Sequence, residues 1–439
     1  MIKIKNIIGN PPYNDSSPGR PPIYHKITEL QNKQVSPTNF AWIVQYNWLT
    51  QMSNVGREMR KSLIEMGVYR IEDNRFDGFT EATVRTCTIY CRKGYTGDIE
   101  LVDRLYNQSS YIAPELFREL QLSPIYSQAE RDLLDKLKSK SYDRFGMPLI
   151  WQTTGAVPAK GTILTDYSIA VSYFADFVGG GIGKIQIVGP EKPMPGSHRF
   201  FEGYVNLGSK ERAEEAFAQL TSYWHSKVVD FVLSRTLTSR TLDNPQIVHV
   251  PVVECDHVWS DEELYKYFDL TEDEIAILDA PRVKTELTYT PTDIITEVIA
   301  QRALEESKDR VVFRTGERKD INGEVFTPTS LVLHMLTQID KDAWQDGETF
   351  LDPTCGNGQI LATIAVIKRE LGHTNILSTI YGTDLMDDNV EECRERLLNI
   401  AGDTLENRKI VKENIRAGNA LHKQAYKRFN QQPQPIEIA

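Results

Sequence analysis

The sequence lacks the features of a membrane, secreted or zinc-binding protein. No apolar run among its 439 residues reaches the roughly 18 residues of a transmembrane helix, and the chain does not begin with a signal-peptide pattern. The five cysteines, at positions 87, 91, 255, 355 and 393, form no CxxC pair and no ligand cluster with histidine. These absences predict a cytoplasmic protein with reduced thiols, no metal and no membrane association.

The sequence also lacks a Walker phosphate-binding loop. Residues 178–184 (VGGGIGK) resemble one superficially, but Ile185 stands where the hydroxyl residue should follow Lys184, and the leading glycine is absent. We interpret this segment as a loop with a basic tip.

An excess of positive charge is missing as well, because the net charge is −11. The charge is uneven: residues 1–100 carry +3, residues 101–300 carry −10 and residues 301–439 carry −4. Much of the acidic excess lies in 259–279, which is typical of one solvated helical face. A DNA-binding cleft would therefore have to be local, and the charge favours neither outcome.

The chain begins with an apolar, β-branched run that leads into Asn10, Pro11, Pro12 and Tyr13 (NPPY). This pattern predicts a buried parallel strand that places a polar tip at the carboxyl edge of a sheet. The two prolines stiffen the turn, so a carboxamide, fixed carbonyl groups and an aromatic ring together suit a planar amine. The alternative is a simple turn that closes the strand.

The next residues predict half of a doubly wound α/β sheet. A buried strand is expected at 40–49, an amphipathic helix at 55–67 ending at a glycine, and further strands at 68–71 and 83–92. This part contains no glycine-rich cofactor loop.

From about residue 105 to residue 285 the βα regularity is lost. Four basic or imidazole side chains there are candidates for contact with DNA phosphates or base edges, and ordinary surface loops explain each of them equally well. They are Lys184, His198, Arg199 and Arg240.

A second half-sheet is predicted near the C-terminus. A strand at 349–352 leads into DPTCGNG (352–358) and an apolar helix at 359–371. A second strand, TIYGTD, ends at Asp384, and a third, 415–418, ends at Asn419. A strand, an acid, a tight Gly-x-Gly turn and a helix form a nucleoside-binding corner, and an acid at the next strand tip suits a ribose diol.

Together these motifs resemble S-adenosylmethionine-dependent DNA amino-methyltransferases of the adenine-N6 type. NPPY is similar to the catalytic motif of that family, whose first residue is Asn or Asp in N6-adenine enzymes. DPTCGNG is similar to its cofactor loop, and GEVFTP (323–328) to the segment beside the methionine moiety. The segment 259–275 resembles the end of a target-recognition domain in relatives of restriction–modification enzymes.

The resemblance implies a role for each matched residue. Asn10, Pro11, Pro12 and Tyr13 would be catalytic, and Phe79 would cover the base. Asn419 departs from the family pattern, which commonly has Asp there, but its oxygen can still accept a hydrogen bond. The implied cofactor residues are Phe326, Thr327, Pro328, Asp352, Pro353, Gly356, Gly358, Asp384 and Asn419.

The motif order implies a particular fold, because the catalytic motif comes first and the cofactor motifs come last. We expect a doubly wound, seven-stranded, Rossmann-like methyltransferase sheet that is circularly permuted, with its ends as neighbours and an inserted α+β target-recognition domain. The expected domains are 1–104 (catalytic half), 105–285 (target recognition) and 286–439 (cofactor half). We also expect Asn10 beside Gly356.

The expected function is methylation of a flipped adenine in double-stranded DNA by direct displacement, in a bacterial or phage-infected bacterial cell. A separate restriction enzyme is an allowed partner but is not required. The open alternatives are N4-cytosine methylation, methylation of a protein glutamine, and a catalytically idle DNA-binding or decoy protein of the same fold.

Overall fold

The computed structural model describes most of the chain, and its internal contacts divide the chain into two compact units. The first unit comprises Met1–Ala82, Thr86–Pro124 and Val283–Ala439, and the second comprises Thr83–Arg85 and Ile125–Arg282. Both terminal portions of the chain therefore belong to the same unit. The described residues are 2–12, 23–49, 54–74, 86–104, 108–118, 127–140, 158–172, 182–196, 198–201, 203–236, 249–280, 289–307 and 327–429.

The first unit is built on one large sheet. Its strands are β1 (Asn6–Gly9), β2 (Asn39–Gln45), β3 (Val68–Asp73), β4 (Thr86–Arg92), β5 (Ile99–Asp103), β6 (Gln108–Ile112), β10 (Phe350–Asp352), β11 (Ile380–Asp384) and β12 (Ile415–Ala417). They lie in the order β12-β11-β10-β1-β2-β4-β3-β5-β6. The first five in this order run parallel, and β4 is antiparallel to both of its neighbours. The α/β class with a large, mostly parallel sheet is therefore confirmed.

The expected number of seven strands is wrong, because the sheet described here has nine. The two additional strands form the β5–β6 hairpin, and β5 joins the sheet in parallel with β3. The side chains of β5 alternate between buried and partly exposed, whereas β6 is mostly exposed, as an edge strand should be. β6 lies beyond residue 104, within the range predicted for target recognition.

Helices of the first unit cover the sheet. They are α1 (Tyr24–Gln34), α2 (Asn54–Glu65), α3 (Pro114–Arg118), α9 (Glu297–Glu306), α10 (Thr329–Gln338), α11 (Gln359–Glu370), α12 (Asp387–Ala401) and α13 (Leu405–Asn414). α2 ends close to the predicted glycine, and Gly67 has a φ of +76°. Among the described helices, none is both long and apolar enough to cross a membrane.

The core of the first unit explains where its polar strand tips lie. β1 is central and buried, with Ile7 and Ile8 at 0% and 2% exposure. α10 and α11 are apolar around most of their circumference, and they pack with Ile8 in one cluster of buried residues. Each large aliphatic side chain buried in this way contributes roughly 1.5–3 kcal/mol. The parallel strands of this core direct their carboxyl ends to a single edge.

The expectation that the two ends of the chain are neighbours agrees with one further pairing. Ile2 forms a parallel bridge with Phe429, and the Ile2 N–H donates to the Arg428 carbonyl at 3.1 Å. Phe429 is fully buried. The first and last described segments of the chain are therefore adjacent.

The second unit combines a small antiparallel sheet with helices. The sheet has the order β8-β7-β9, with β7 at Ser168–Ser172, β8 at Ile185–Val188 and β9 at His198–Phe200. The acidic segment forms two short helices rather than one, and Ser260 and Thr271 close a capping box at the start of each. The helices are α4 (Gln128–Ser139), α5 (Lys210–Trp224), α6 (Lys227–Thr236), α7 (Asp261–Tyr267) and α8 (Glu272–Leu278).

Candidate active site

The polar tips predicted from the two ends of the chain meet at one edge of the large sheet. β1 pairs with β10 in parallel, β10 with β11, and β11 with β12, so all four carboxyl ends lie on the same side. Gly9 lies directly against Asp352: a Cβ on Gly9 would be 3.0 Å from the Asp352 Oδ1. The residue before Asn10 is thus packed on the first residue of DPTCGNG, although 343 positions separate the two in sequence.

Asn10 contacts the third predicted motif. Its Nδ2 donates a hydrogen bond to the Thr327 Oγ1 at 3.1 Å. Thr327 is buried, with 4% exposure, and stands immediately before Pro328, the N-cap residue of α10. The NPP and FTP motifs therefore touch through their side chains. Pro11 is buried and Pro12 is half-buried.

Residues Asp352–Gly358, which we call the glycine corner, turn from β10 into α11. Gly356 and Gly358 have φ values of +51° and +84°, a region that disfavours side chains. A Cβ on Gly358 would also be 2.6 Å from the Cys393 Sγ, so there is no room for one. Gly358 leads directly into the 12-residue α11, whose first N–H groups face outward from the helix N-terminus.

Asp352 is buried at the start of the glycine corner. Its Oδ1 accepts a hydrogen bond from the Thr354 N–H at 3.0 Å. Burial, with a smaller contribution from the negative charge of Asp384, raises the pKa of Asp352 to about 8. Burial therefore disfavours the charged form of this carboxyl group, which is mainly protonated at neutral pH.

Asp384 ties the glycine corner to the next turn. Its Oδ2 accepts from the Gly356 N–H at 2.9 Å, while its Oδ1 accepts from the Met386 N–H at 2.9 Å and from the Asn389 Nδ2 at 3.2 Å. The carboxylate thus already organises two backbone segments. Its predicted contact with a ribose stays a prediction.

Asn419 lies at the third tip, next to Asp384. The Gly418 N–H donates to the Asp384 carbonyl at 2.8 Å, which joins the ends of β11 and β12. The Asn419 Oδ1 accepts from the Leu421 N–H at 2.9 Å and so shapes its own turn.

Residues 311–435 match the model of the family described as N-6 DNA methylase. This segment is therefore similar to the N-6 DNA methylase family. It includes Thr327, the glycine corner, Asp384 and Asn419, so the resemblance predicted from the motifs is confirmed. Among curated proteins, none matches the chain.

Several solved structures show similarity at low identity. One is the type I restriction–modification methyltransferase subunit from Streptococcus thermophilus (18% identity, TM-score 0.19, 26% of this chain and 30% of that one). Another is the type IIG restriction endonuclease BpuSI (11%, 0.22, 70% and 47%). A third is the ATP-dependent type ISP restriction–modification enzyme LlaBIII bound to DNA (12%, 0.24, 61% and 29%). The chain spans less than half of the length of each of these proteins.

The sequence predicts the helix that follows the glycine corner, but it does not reveal two residues that support the corner. Cys393 packs beneath Gly358, and Asn389 binds Asp384; both are buried on α12. They are four positions apart and so lie on the same helix face. That spacing, following an acid-tipped strand, was the available sequence signal.

Some of the predicted site residues lie outside the described residues, and others belong to the second unit. Tyr13, Phe79, Phe326 and Arg240 belong to the former group. In the second unit, Ser172 of β7 donates its N–H to the Lys184 carbonyl and pairs with His198, so Lys184 and His198 flank one end of β7. His198 bonds to Gln186 and to the Gly196 carbonyl, and Arg199 follows it in β9.

Proposed function

We propose that the protein is a site-specific DNA methyltransferase that transfers a methyl group from S-adenosylmethionine to N6 of adenine in double-stranded DNA. The observation that carries this proposal is the meeting of Asn10 with the glycine corner at one sheet edge, through the Gly9–Asp352 and Asn10–Thr327 contacts. An amide acceptor is thereby held close to a nucleoside-binding corner, although their motifs lie at opposite ends of the chain.

The residues present fit such a cofactor. Gly358 lets the backbone of the corner pack closely on Cys393, and the N-terminus of α11 begins at the same point. The Asp384 and Asn419 tips supply hydrogen-bond acceptors at the same edge. The cofactor would supply an activated methyl group on a sulfonium centre.

The amine chemistry belongs to Asn10 and Pro11. The exocyclic amine of adenine is a poor nucleophile because its lone pair is delocalised into the ring. The Asn10 Oδ1 and the Pro11 carbonyl accept the two N6 hydrogens, which favours a pyramidal nitrogen and stabilises the positive charge that develops during displacement. Reaching that position requires the base to leave the duplex, and Tyr13 and Phe79 stack on it.

The permuted order of the motifs is part of the proposal. The parallel pairing of β1 with β10, together with the Ile2–Phe429 bridge, supports a sheet whose two halves are encoded at opposite ends of the chain. Joining the ends with a short linker and reopening the chain in the second unit's connection should leave a folded protein. A variant of this kind that cannot fold would contradict the permutation.

The decisive experiment measures modified bases. The purified full chain is incubated with S-adenosylmethionine and unmethylated genomic DNA, which offers many target sequences, and the DNA is digested to nucleosides for mass spectrometry. We expect N6-methyladenine from the wild type and a loss of roughly 100-fold or more for Asn10→Ala, with cofactor binding retained.

The other outcomes identify what is wrong. N4-methylcytosine in place of N6-methyladenine would refute the choice of base. A wild-type chain that binds both cofactor and DNA but transfers no methyl group would refute the enzymatic proposal in favour of an idle DNA-binding protein.

A further inference from the structure

The contact between Asn10 and Thr327 joins residues that are 317 positions apart. It runs from the Asn10 amide nitrogen to the hydroxyl of a residue that is 4% exposed. The resemblance implies that Thr327 contacts the cofactor, but in the structure its hydroxyl accepts a hydrogen bond from Asn10. This position suggests a different task.

An asparagine carboxamide has two chemically different ends. Rotation by 180° about its last torsion exchanges the oxygen, an acceptor, with the NH₂ group, a donor. Only the oxygen can accept a hydrogen from an exocyclic amine; the reversed amide would set donor against donor. In the structure the Thr327 hydroxyl accepts from the NH₂ group, which corresponds to the orientation in which the oxygen is on the other side.

Thr327 is a rigid partner because α10 is anchored near both ends. In the first turn, the Thr329 Oγ1 accepts from the Gln359 Nε2 at 2.8 Å, and Gln359 follows Gly358 of the glycine corner. Further along, the His334 Nε2 is 2.8 Å from the buried Glu72 Oε2, and the Tyr69 hydroxyl donates to the Gln338 carbonyl at 2.9 Å. Helix α10 thus fixes Thr327 relative to both the sheet and the corner.

We infer that Thr327 is a positioning residue that orients the Asn10 carboxamide, with its oxygen directed to the amine of the acceptor base. The inference rests on the proposed function and deepens it. Thr329 of α10 is bonded to Gln359, which follows the glycine corner. The segment that holds Thr327 therefore also fixes the position of the Asn10 oxygen relative to that corner. Thr327 therefore acts on the transfer step through Asn10.

The test compares isosteric and conservative variants in single-turnover methyl transfer at saturating cofactor and DNA. Thr327→Val should slow transfer about tenfold, the worth of one buried hydrogen bond. The dissociation constant for S-adenosylmethionine should stay within about twofold of the wild-type value. Thr327→Ser, which keeps the hydroxyl, should restore most of the rate. Thr337→Val is the matched control, because it also removes a buried hydroxyl of α10, one that bonds to the His334 carbonyl.

A double-mutant cycle separates orientation from packing. An aspartate has two equivalent oxygens, so either orientation presents an acceptor. In an Asn10→Asp background, Thr327→Val should therefore have less than about a twofold effect on the transfer rate. An undiminished effect in that background would overturn the inference.

Two further results would also overturn it. Thr327→Val could transfer at the wild-type rate, or it could weaken cofactor binding while leaving the saturated rate unchanged, which is the behaviour of a cofactor ligand. Asn10→Ala distinguishes these from failure of the proposed function: if Asn10→Ala is inactive, only the role of Thr327 is wrong, whereas an active Asn10→Ala contradicts the mechanism itself.

Discussion

The glycine corner and the Asn10 tip lie at the same edge of one sheet, yet they are held in different ways. The corner is closed by contacts within residues 352–393: the Asp352 and Asp384 carboxylates bind nearby N–H groups, and Cys393 fills the space beneath Gly358. The Asn10 tip instead depends on distant segments, with Gly9 packed on Asp352 and Asn10 bonded to Thr327.

This difference indicates that the glycine corner contributes mainly to stability and the Asn10 tip mainly to turnover. A corner held by a dense local set of hydrogen bonds should be part of the folded framework, so changes there should reduce stability first. A tip held by contacts with distant segments can be altered with less effect on folding, and changes there should reduce turnover.

The largest expected effect on stability comes from Gly358→Ala. The variant combines a φ of +84° with an overlap between its Cβ and the Cys393 Sγ. We expect a loss of about 2–5 kcal/mol in the free energy of unfolding, measured in urea, together with loss of cofactor binding. Gly372→Ala is the matched control, because its φ is +75° with nothing within 4 Å of the added Cβ. It should cost only about 1 kcal/mol, and equal losses in the two variants would contradict the overlap.

A smaller effect is expected for Asp384→Ala, which removes the acceptor for two backbone N–H groups and for Asn389. Hydrogen bonds to a charged group are worth about 1.5–3 kcal/mol, so a loss of this order is expected in urea unfolding. Asn10→Ala should cost less than about 1 kcal/mol in the same assay while losing turnover. The comparison between corner and tip is wrong if Asn10→Ala proves the more destabilising of the two.

A further expected effect is a pH dependence at Asp352. Its pKa is raised to about 8 in the folded state, above the value near 4 of an unfolded chain, so between these values the folded state binds more protons. The contribution of Asp352 to stability is then most favourable below about pH 4 and falls as pH rises toward 8.

Asp352→Asn removes this dependence and can still accept from the Thr354 N–H. The difference in the free energy of unfolding between variant and wild type, measured from pH 5 to pH 9, should shift in favour of the variant and level off above about pH 8. A difference that is constant over this range would show that Asp352 is ionised throughout.

Parts of the fold were predictable because local patterns encode them. The helix at 359–371 was predicted and α11 covers Gln359–Glu370, and the glycine predicted to end α2 has a positive φ. The strand predicted at 40–49 is correct only to Gln45, since Tyr46–Leu49 form a 3₁₀ turn. There the buried Arg60 donates from Nη1 to the Trp48 and Leu49 carbonyls, an interaction from another element that no local apolar pattern reveals.

The β5–β6 hairpin and the support of the site were missed for the same reason. Gln108–Ile112 has no apolar periodicity, so only pairing with β5 makes it a strand. Cys393 and Asn389 gain their importance from packing against Gly358 and Asp384, which lie on separate elements.

The sequence by itself determined the chemistry at each strand tip: the NPPY carboxamide and prolines, the Gly-x-Gly turn and the acid of TIYGTD are local choices of residue type. The tertiary structure decided which tips meet. Parallel pairing of β1 with β10 brings Gly9 into contact with Asp352. The packing of α10 brings Thr327 within hydrogen-bond distance of Asn10. Contacts across more than 300 residues arise from packing and strand register, which residue types restrict but do not specify.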